Sequence, residues 1–445
     1  MPTRLIRCFA AFLLMAIFTR WAPAENWPRF RGPNADGVAL DHERLPTEWS
    51  TTKNVKWVVD VPGWGWSCPV VWGNRVFIST VASDAKNVAP KKGLYLGRGR
   101  STPAKGVHHW LVLCFDLSTG QRLWKREVHR ESPRITRHPK STYASETPVT
   151  DGKHVYVLFG DLGLFCFDFH GKLRWTQKIE AKKTFFDYGA AGSPILYQDQ
   201  VIYVYDNQEQ SYITSVDANT GKVRWLTLRN ERSTWATPYV WKNRLRTEIV
   251  TAGKRKIRSY DTNGKLIWEM NGRMSNLIIP SPFAAHGLLY VGSGYVGDFH
   301  RPVYAFRPGA SGDITPAGKP AESKHIQWYQ PQASAYNPSA LVYGKYYYTL
   351  LDRGMMTCYD ALSGKRVYGK KRFAPSASFT ASPFAYNGKL FFLSEDGDTY
   401  VVEPGRKHRV IGKNSLGELC LSTPAISRGN LLIRTVSKLY CISKK

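Results

Sequence analysis

Nine side chains are grouped by one shared position: each stands within a few residues of a recurring proline step. They are Trp64, Trp66, Tyr143, Glu146, Tyr188, Trp235, Asn276, Asn337 and Glu418. Aromatic faces joined by a few amides and carboxylates are what a small-ligand or sugar pocket requires. The alternative is aromatic packing and turn chemistry around a narrow pore. A second group is basic. Residues 81–107 hold Lys86, Lys91, Lys92, Arg98, Arg100 and Lys105 against Asp84 alone, and residues 129–140 add Arg130, Arg134, Arg137 and Lys140. Cation density of this kind can hold a polyanion such as a sulfated glycan, an anionic lipid headgroup or nucleic acid. It can equally be a solvated loop on a chain of net charge +28.

Other chemistry is weakly represented. His108 and His109 are adjacent, so on a strand they face opposite ways and do not form a joint metal site. The run Gly93–Arg100 is glycine-rich but lacks the Gly-Lys-Ser/Thr ending of a phosphate-binding loop. No H-E-x-x-H, G-x-S-x-G or EF-hand pattern occurs, and no catalytic residue is assigned.

The elements that would position these groups repeat. A Ser/Thr-Pro step followed by a short apolar strand recurs at Pro69, Pro148, Pro194, Pro238, Pro282, Pro338, Pro383 and Pro424. The spacing is near 44 residues with two enlarged members, which marks a repeat array. Each step is followed by a hairpin signature, seen in "CFDLSTGQRLW", "CFDFHGKLRW", "SVDANTGKVRW", "SYDTNGKLIW" and "CYDALSGKRVY". The Asp caps nearby backbone amides and the Gly adopts positive φ, so the chain reverses tightly. Trp124, Trp175, Trp225, Trp268 and Trp328 then fall on the returning strand.

Each unit is therefore four short antiparallel strands, A to D, and the predicted fold is an all-β, eight-bladed β-propeller. The eighth unit stops after strand C, while "NVKWVVDV" near the N-terminus is a strand D without a preceding unit. The N-terminal strand is expected to complete the last blade and close the ring. Cys114, Cys166, Cys358 and Cys441 occupy one strand C position in different blades. Equivalent positions lie about 10 Å apart, too far for a disulfide, so these four read as small buried hydrophobes. Cys68 and Cys420 sit at non-equivalent places in adjacent blades, where a bridge is open.

The Asp-x-x-[Ser/Thr]-Gly-Lys-x-x-Trp hairpins after Ser-Pro strands resemble the pyrroloquinoline quinone (PQQ) repeat. Quinoprotein alcohol dehydrogenases and BamB-type outer-membrane assembly factors share it. The resemblance covers residues 51–445. "NWPRFRGPNADGV" (26–38) and the enlarged fifth unit at 293–315 look like exported planctomycete propellers of this type. Resemblance to the dehydrogenases would imply PQQ with calcium, held by an adjacent-cysteine disulfide, a stacking Trp, a carboxylate-amide metal site and an Asp base. No Cys-Cys pair and no C-x-x-C-H haem motif is present, so no cofactor and no metal is assigned.

Residues 1–24 read as a secretory leader, with Arg4 and Arg7, an apolar run and Ala22-Pro23-Ala24 as the cleavage site. Residues 25–50 form an N-terminal extension and 51–445 the propeller. The expected protein is exported, to the periplasm or beyond, with no membrane-spanning segment after cleavage. The favoured function is a non-catalytic binding scaffold, its partner an envelope protein or an anionic polymer. A PQQ-dependent oxidoreductase and a polyanion- or glycan-binding module are the alternatives. Nucleic acid is not an expected partner of an exported protein.

Overall fold

The computed structural model describes residues 25–95 and 102–444, so the leader, Arg98 and Arg100 lie outside the described residues. The strands form eight antiparallel sheets of sequential A-B-C-D order. Blade 1 comprises Val70–Trp72, Arg75–Ser83, His108–Asp116 and Arg122–Glu131, and the following blades repeat it. Val55–Asp60 pairs antiparallel with Lys438–Ile442, with Trp57 opposite Cys441. The N-terminal strand thus supplies strand D of blade 8. The ring closes as the repeat predicts.

Burial alternates along the strands as a packed blade requires. Strands B and C are almost wholly buried, whereas the outermost strand D exposes its outward side chains. The tryptophan of strand D joins blade to blade. Trp124 Nε1 donates to Phe169 O at 3.0 Å, Trp175 to Ala218 O at 3.0 Å and Trp225 to Thr262 O at 3.0 Å. Trp57 and Trp328 repeat the bond to Leu117 O and Ala361 O. Each acceptor follows the hairpin Asp of the next blade. The hairpin glycine, at positive φ, lies directly under the indole: a Cβ on Gly171 would stand 2.8 Å from Trp124. Asp-Gly and Trp, read in sequence as one hairpin, are therefore two halves of a contact between neighbouring blades.

Trp268 departs from this pattern for a reason visible in blade 5. The enlarged connection between its strands C and D carries no Asp-Gly hairpin. Gly312–Asp313 instead pairs in parallel with Trp268 and Glu269, giving blade 4 a fifth strand. Trp268 Nε1 turns to the buried Glu248 carboxylate of its own blade, at 2.7 Å.

All six described cysteines are free and buried. Cys114, Cys166, Cys358 and Cys441 share one register position, opposite Phe77, Tyr156, Tyr348 and Leu432. Cys68 and Cys420 form no bridge, and burial raises both thiols.

Residues 25–49 cross the lower face, defined by the A–B and C–D turns. The Trp27 amide donates to Val71 O in blade 1, and Pro28 O accepts from Thr150 in blade 2. The Arg31 guanidinium lies 5.1 Å over Phe283 in blade 5 and donates to Ala340 O in blade 6. Gly37 O accepts from Ala385 in blade 7, and Arg44 O from Lys444 beside blade 8. Phe30 of this segment lines the channel cavity. No described helix is long and apolar enough to cross a membrane.

Candidate functional site: a blind channel with a strapped mouth

The channel wall is built from the proline steps. The residue beside each proline sends its backbone amide to the side chain of the equivalent residue in the next blade. Cys68 donates to Thr147, Thr147 to Ser193 and Ser193 to Thr237, at 2.9–3.1 Å. Thr237 donates to Ser281, Ser281 to Ser339, Ser339 to Ser382 and Ser382 to Thr423, at 2.9–3.0 Å. A neutral hydrogen bond of this kind is worth about 1 kcal/mol. The recurring Ser/Thr before proline was the sequence signal for it. In blade 6 the order is Pro338-Ser339, so Ser339, and not Asn337, joins the ring.

The girdle rings a cavity of about 220 Å³, which Phe30 of the N-terminal segment also lines. Of the nine sequence candidates it takes Trp66, Tyr188, Trp235 and Asn337. Trp66 and Trp235 are held by their indole N–H groups, which donate to Lys140 O at 2.7 Å and Gly189 O at 2.8 Å. The other five lie elsewhere. Trp64 stacks under Arg137, 5.9 Å from the guanidinium carbon. Tyr143 and Glu146 line a separate cleft between blades 1 and 2. Asn276 is exposed and tied to Asp298, and Glu418 accepts from Thr435 and Ser437 in blade 8.

Glu146 is 3% exposed. Its carboxylate accepts from the Gly160 amide at 3.0 Å, yet burial pushes its pKa up to about 8. Asp161 in the same cleft is raised by burial to about 6.

The basic segments of blade 1 fold over the mouth. Lys92 pairs with Asp396 and the Gly93 amide donates to Glu395 at 2.7 Å, both in blade 7. Lys140 reaches the same Glu395, and Thr380 braces both groups at 2.7 Å. Residues 84–95 of the insertion and the 132–141 connection thus form a strap from blade 1 to blade 7 across blade 8. Lys91 binds the strap internally through its amide to Pro139 O. Arg134 pairs with Glu131, and Arg137 donates to Val88 O and Ser141 O. Three of the four described patch cations are therefore engaged within the protein.

His138, overlooked in the sequence, stands at the cavity wall between Tyr95 and Tyr188, edge-on to Tyr188 at a centroid distance of 4.5 Å. Burial lowers its pKa to about 4, so it is neutral near pH 7. Nδ1 accepts from the Lys140 amide at 3.1 Å, which places the proton on Nε2. That nitrogen is buried and has no hydrogen-bond partner. The mouth therefore combines aromatic faces, a hydroxyl girdle and one uncommitted donor. Among the described residues no three His, Cys, Asp or Glu side chains converge as a metal site.

Blades, girdle and tryptophan contacts define a PQQ-repeat propeller. The chain matches the family model described as outer membrane protein assembly factor BamB over residues 109–370, more than half its length, and belongs to that family. No curated protein sequence matches it. Among solved structures, BamB from Moraxella catarrhalis is similar, with 12% identity, a TM-score of 0.56, and 88% of this chain and 97% of that chain covered. A europium-containing methanol dehydrogenase matches with 11% identity, a TM-score of 0.52, and coverage of 95% and 98%. A quinohemoprotein alcohol dehydrogenase from Comamonas testosteroni matches with 12% identity, a TM-score of 0.56, and coverage of 95% and 81%. At such identities the shared property is the fold, which serves both an assembly factor and dehydrogenases.

Proposed function

We propose that this protein is a non-catalytic binding scaffold of the cell envelope, which receives a partner at the strapped mouth of its channel. The observation that carries the reading is the chemistry of the cavity wall. Its side chains are aromatic, aliphatic and hydroxylic, with one thiol, one neutral imidazole and one amide, and its ammonium group, Lys140, is already neutralised by Glu395. The cavity, about 220 Å³, is smaller than the roughly 300–1,000 Å³ of ordinary small-molecule pockets. It suits a protruding side chain of a partner. BamB kinship supports placement in the envelope, as does the leader expected over residues 1–24.

The quinone alternative finds little support in the same wall. A PQQ site needs a cation to polarise the quinone carbonyl and a base beside the substrate. Of the cavity-lining residues only Asn337 offers a side-chain amide for calcium, and the nearby Glu395 is occupied by Lys140, Thr380 and Gly93. The residues present do not fit the group.

Phe186 allows a direct test. It is 38% exposed and packs on Tyr188 at the mouth, with ring centroids 5.5 Å apart. A photoreactive phenylalanine derivative at this position should give a discrete adduct with an envelope protein in intact cells. The same group at Leu226, on the outer edge of blade 3, should give none. Equal labelling at both positions, or no adduct at Phe186, would overturn the mouth as the contact site.

A further inference from the structure

The lower face holds a second concavity, unrelated to the channel. A groove of about 900 Å³ runs along the A–B turns of blades 2 to 5, walled on one side by the N-terminal segment. Four cations face it: Arg29, Lys242, Arg244 and Arg307, against the single carboxylate Asp36. Arg29 spends its hydrogen bonds on Gly32 O and Pro33 O, and Arg307 on Lys324 O and Ile326 O. Lys242 rests over the Tyr197 ring, 5.6 Å from its centroid, and Arg244 is exposed. Among the described residues none of the four forms an ion pair with a carboxylate. Elsewhere such pairing is common, as with Arg246 and Glu248, Arg229 and Asp206, or Arg258 and Glu231.

We propose that this groove binds an acidic oligosaccharide, carboxylated or sulfated. Asp36 acts on Arg29, which leaves Lys242, Arg244 and Arg307 without a carboxylate, and three such cations in one concavity raise the local concentration of an anion. The guanidinium of Arg244, and the Nε and Nη2 donors that Arg307 leaves unused, match the planar oxygens of carboxylates and the oxygens of sulfates. The cations come from the N-terminal segment and blades 4 and 5, so they match charges repeated along an oligomer better than a single small ion. Gln198, exposed at the rim with a left-handed φ of 52°, supplies an amide for hydroxyls, and Tyr197 adds an aromatic ring. The walls are turns instead of an open strand edge, so an extended peptide finds no backbone ladder there.

The test is calorimetric titration of the full chain with three probes: an oligogalacturonate, a heparin hexasaccharide and octaglutamate. The first carries carboxylates alone and the second carboxylates with sulfates, so tighter binding of the second assigns the gain to sulfate. The K242S/R244S variant changes two exposed groups and should weaken binding of the preferred saccharide at least tenfold. K370S/K371S, exposed on strand D of blade 6, removes the same charge and should shift affinity by less than about twofold. Failure of the intact protein to bind either saccharide would overturn the proposal. So would equal losses in the two variants, or octaglutamate binding as tightly as the saccharides.

Discussion

Gly171 shows how much a single residue can decide in this architecture. Its φ is +80° and a Cβ would stand 2.8 Å from the Trp124 ring, so alanine there meets both backbone strain and a clash. Gly388 has φ +68° with nothing within 4 Å, so alanine there meets strain alone. Gly388→Ala should cost about 1–2 kcal/mol. Gly171→Ala should cost a further ~1–3 kcal/mol for overpacking, read as a lower denaturant midpoint. Equal losses would show that the indole contact contributes nothing. A second residue-scale test uses Glu146, whose pKa is raised to about 8 by burial. The folded state then holds a proton that the unfolded state releases near pH 4.5, so this group lowers stability as pH rises from about 4.5 to 8. Glu146→Gln removes that loss. Its stability relative to the parent should increase between pH 5 and pH 8, and a constant difference would contradict the assignment. At this scale the sequence was only half legible. The Asp, Gly and Trp positions were plain because turn chemistry restricts residue type. Glu146 and Tyr143 were placed at the channel because they precede a proline step, but the wide connection of 131–146 carries them to the neighbouring cleft. His138 and Lys140 belong to a loop with no periodicity, and nothing local marks them as cavity residues.

Among the elements, the strand Val55–Asp60 has the largest structural consequence. It is the outer strand of blade 8, and its Trp57 donates to Leu117 O in blade 1, linking the last blade to the first. A chain lacking residues 25–60 loses this strand and also the segment that crosses the lower face. It should aggregate or melt far below the parent, because an edge is exposed and the blade 8 to blade 1 contact is lost. Cooperative melting at the parental temperature would refute the shared blade. This element was legible from a strand D without a preceding unit and a last unit without its strand D. The fifth strand of blade 4 was not. Gly312–Asp313 is too short for any strand pattern, and its pairing with Trp268 depends on where a long insertion happens to lie. The strap was invisible for a related reason: its cations looked free for an outside anion, while Asp396 and Glu395, 304 and 255 residues away, neutralise Lys92 and Lys140.

For the whole molecule, the ring architecture divides the surface into two faces of different chemistry. The upper face carries a small, mostly uncharged cavity under a strap fastened by ion pairs. The lower face is covered by the N-terminal segment and leaves unpaired cations in an open groove. Period and hairpin chemistry made the eight-bladed fold readable, because both recur in every unit. Function was less readable, because the same ring serves an assembly factor and dehydrogenases, and what separates them is side chains at the mouth. The central claim is that these side chains bind without catalysing. Its most direct test is steady-state reduction of an artificial electron-acceptor dye by the full-length protein with calcium, PQQ and a panel of alcohols and sugars. The account expects rates no higher than a protein-free control. Substrate-dependent dye reduction that chelation abolishes and calcium restores would contradict it.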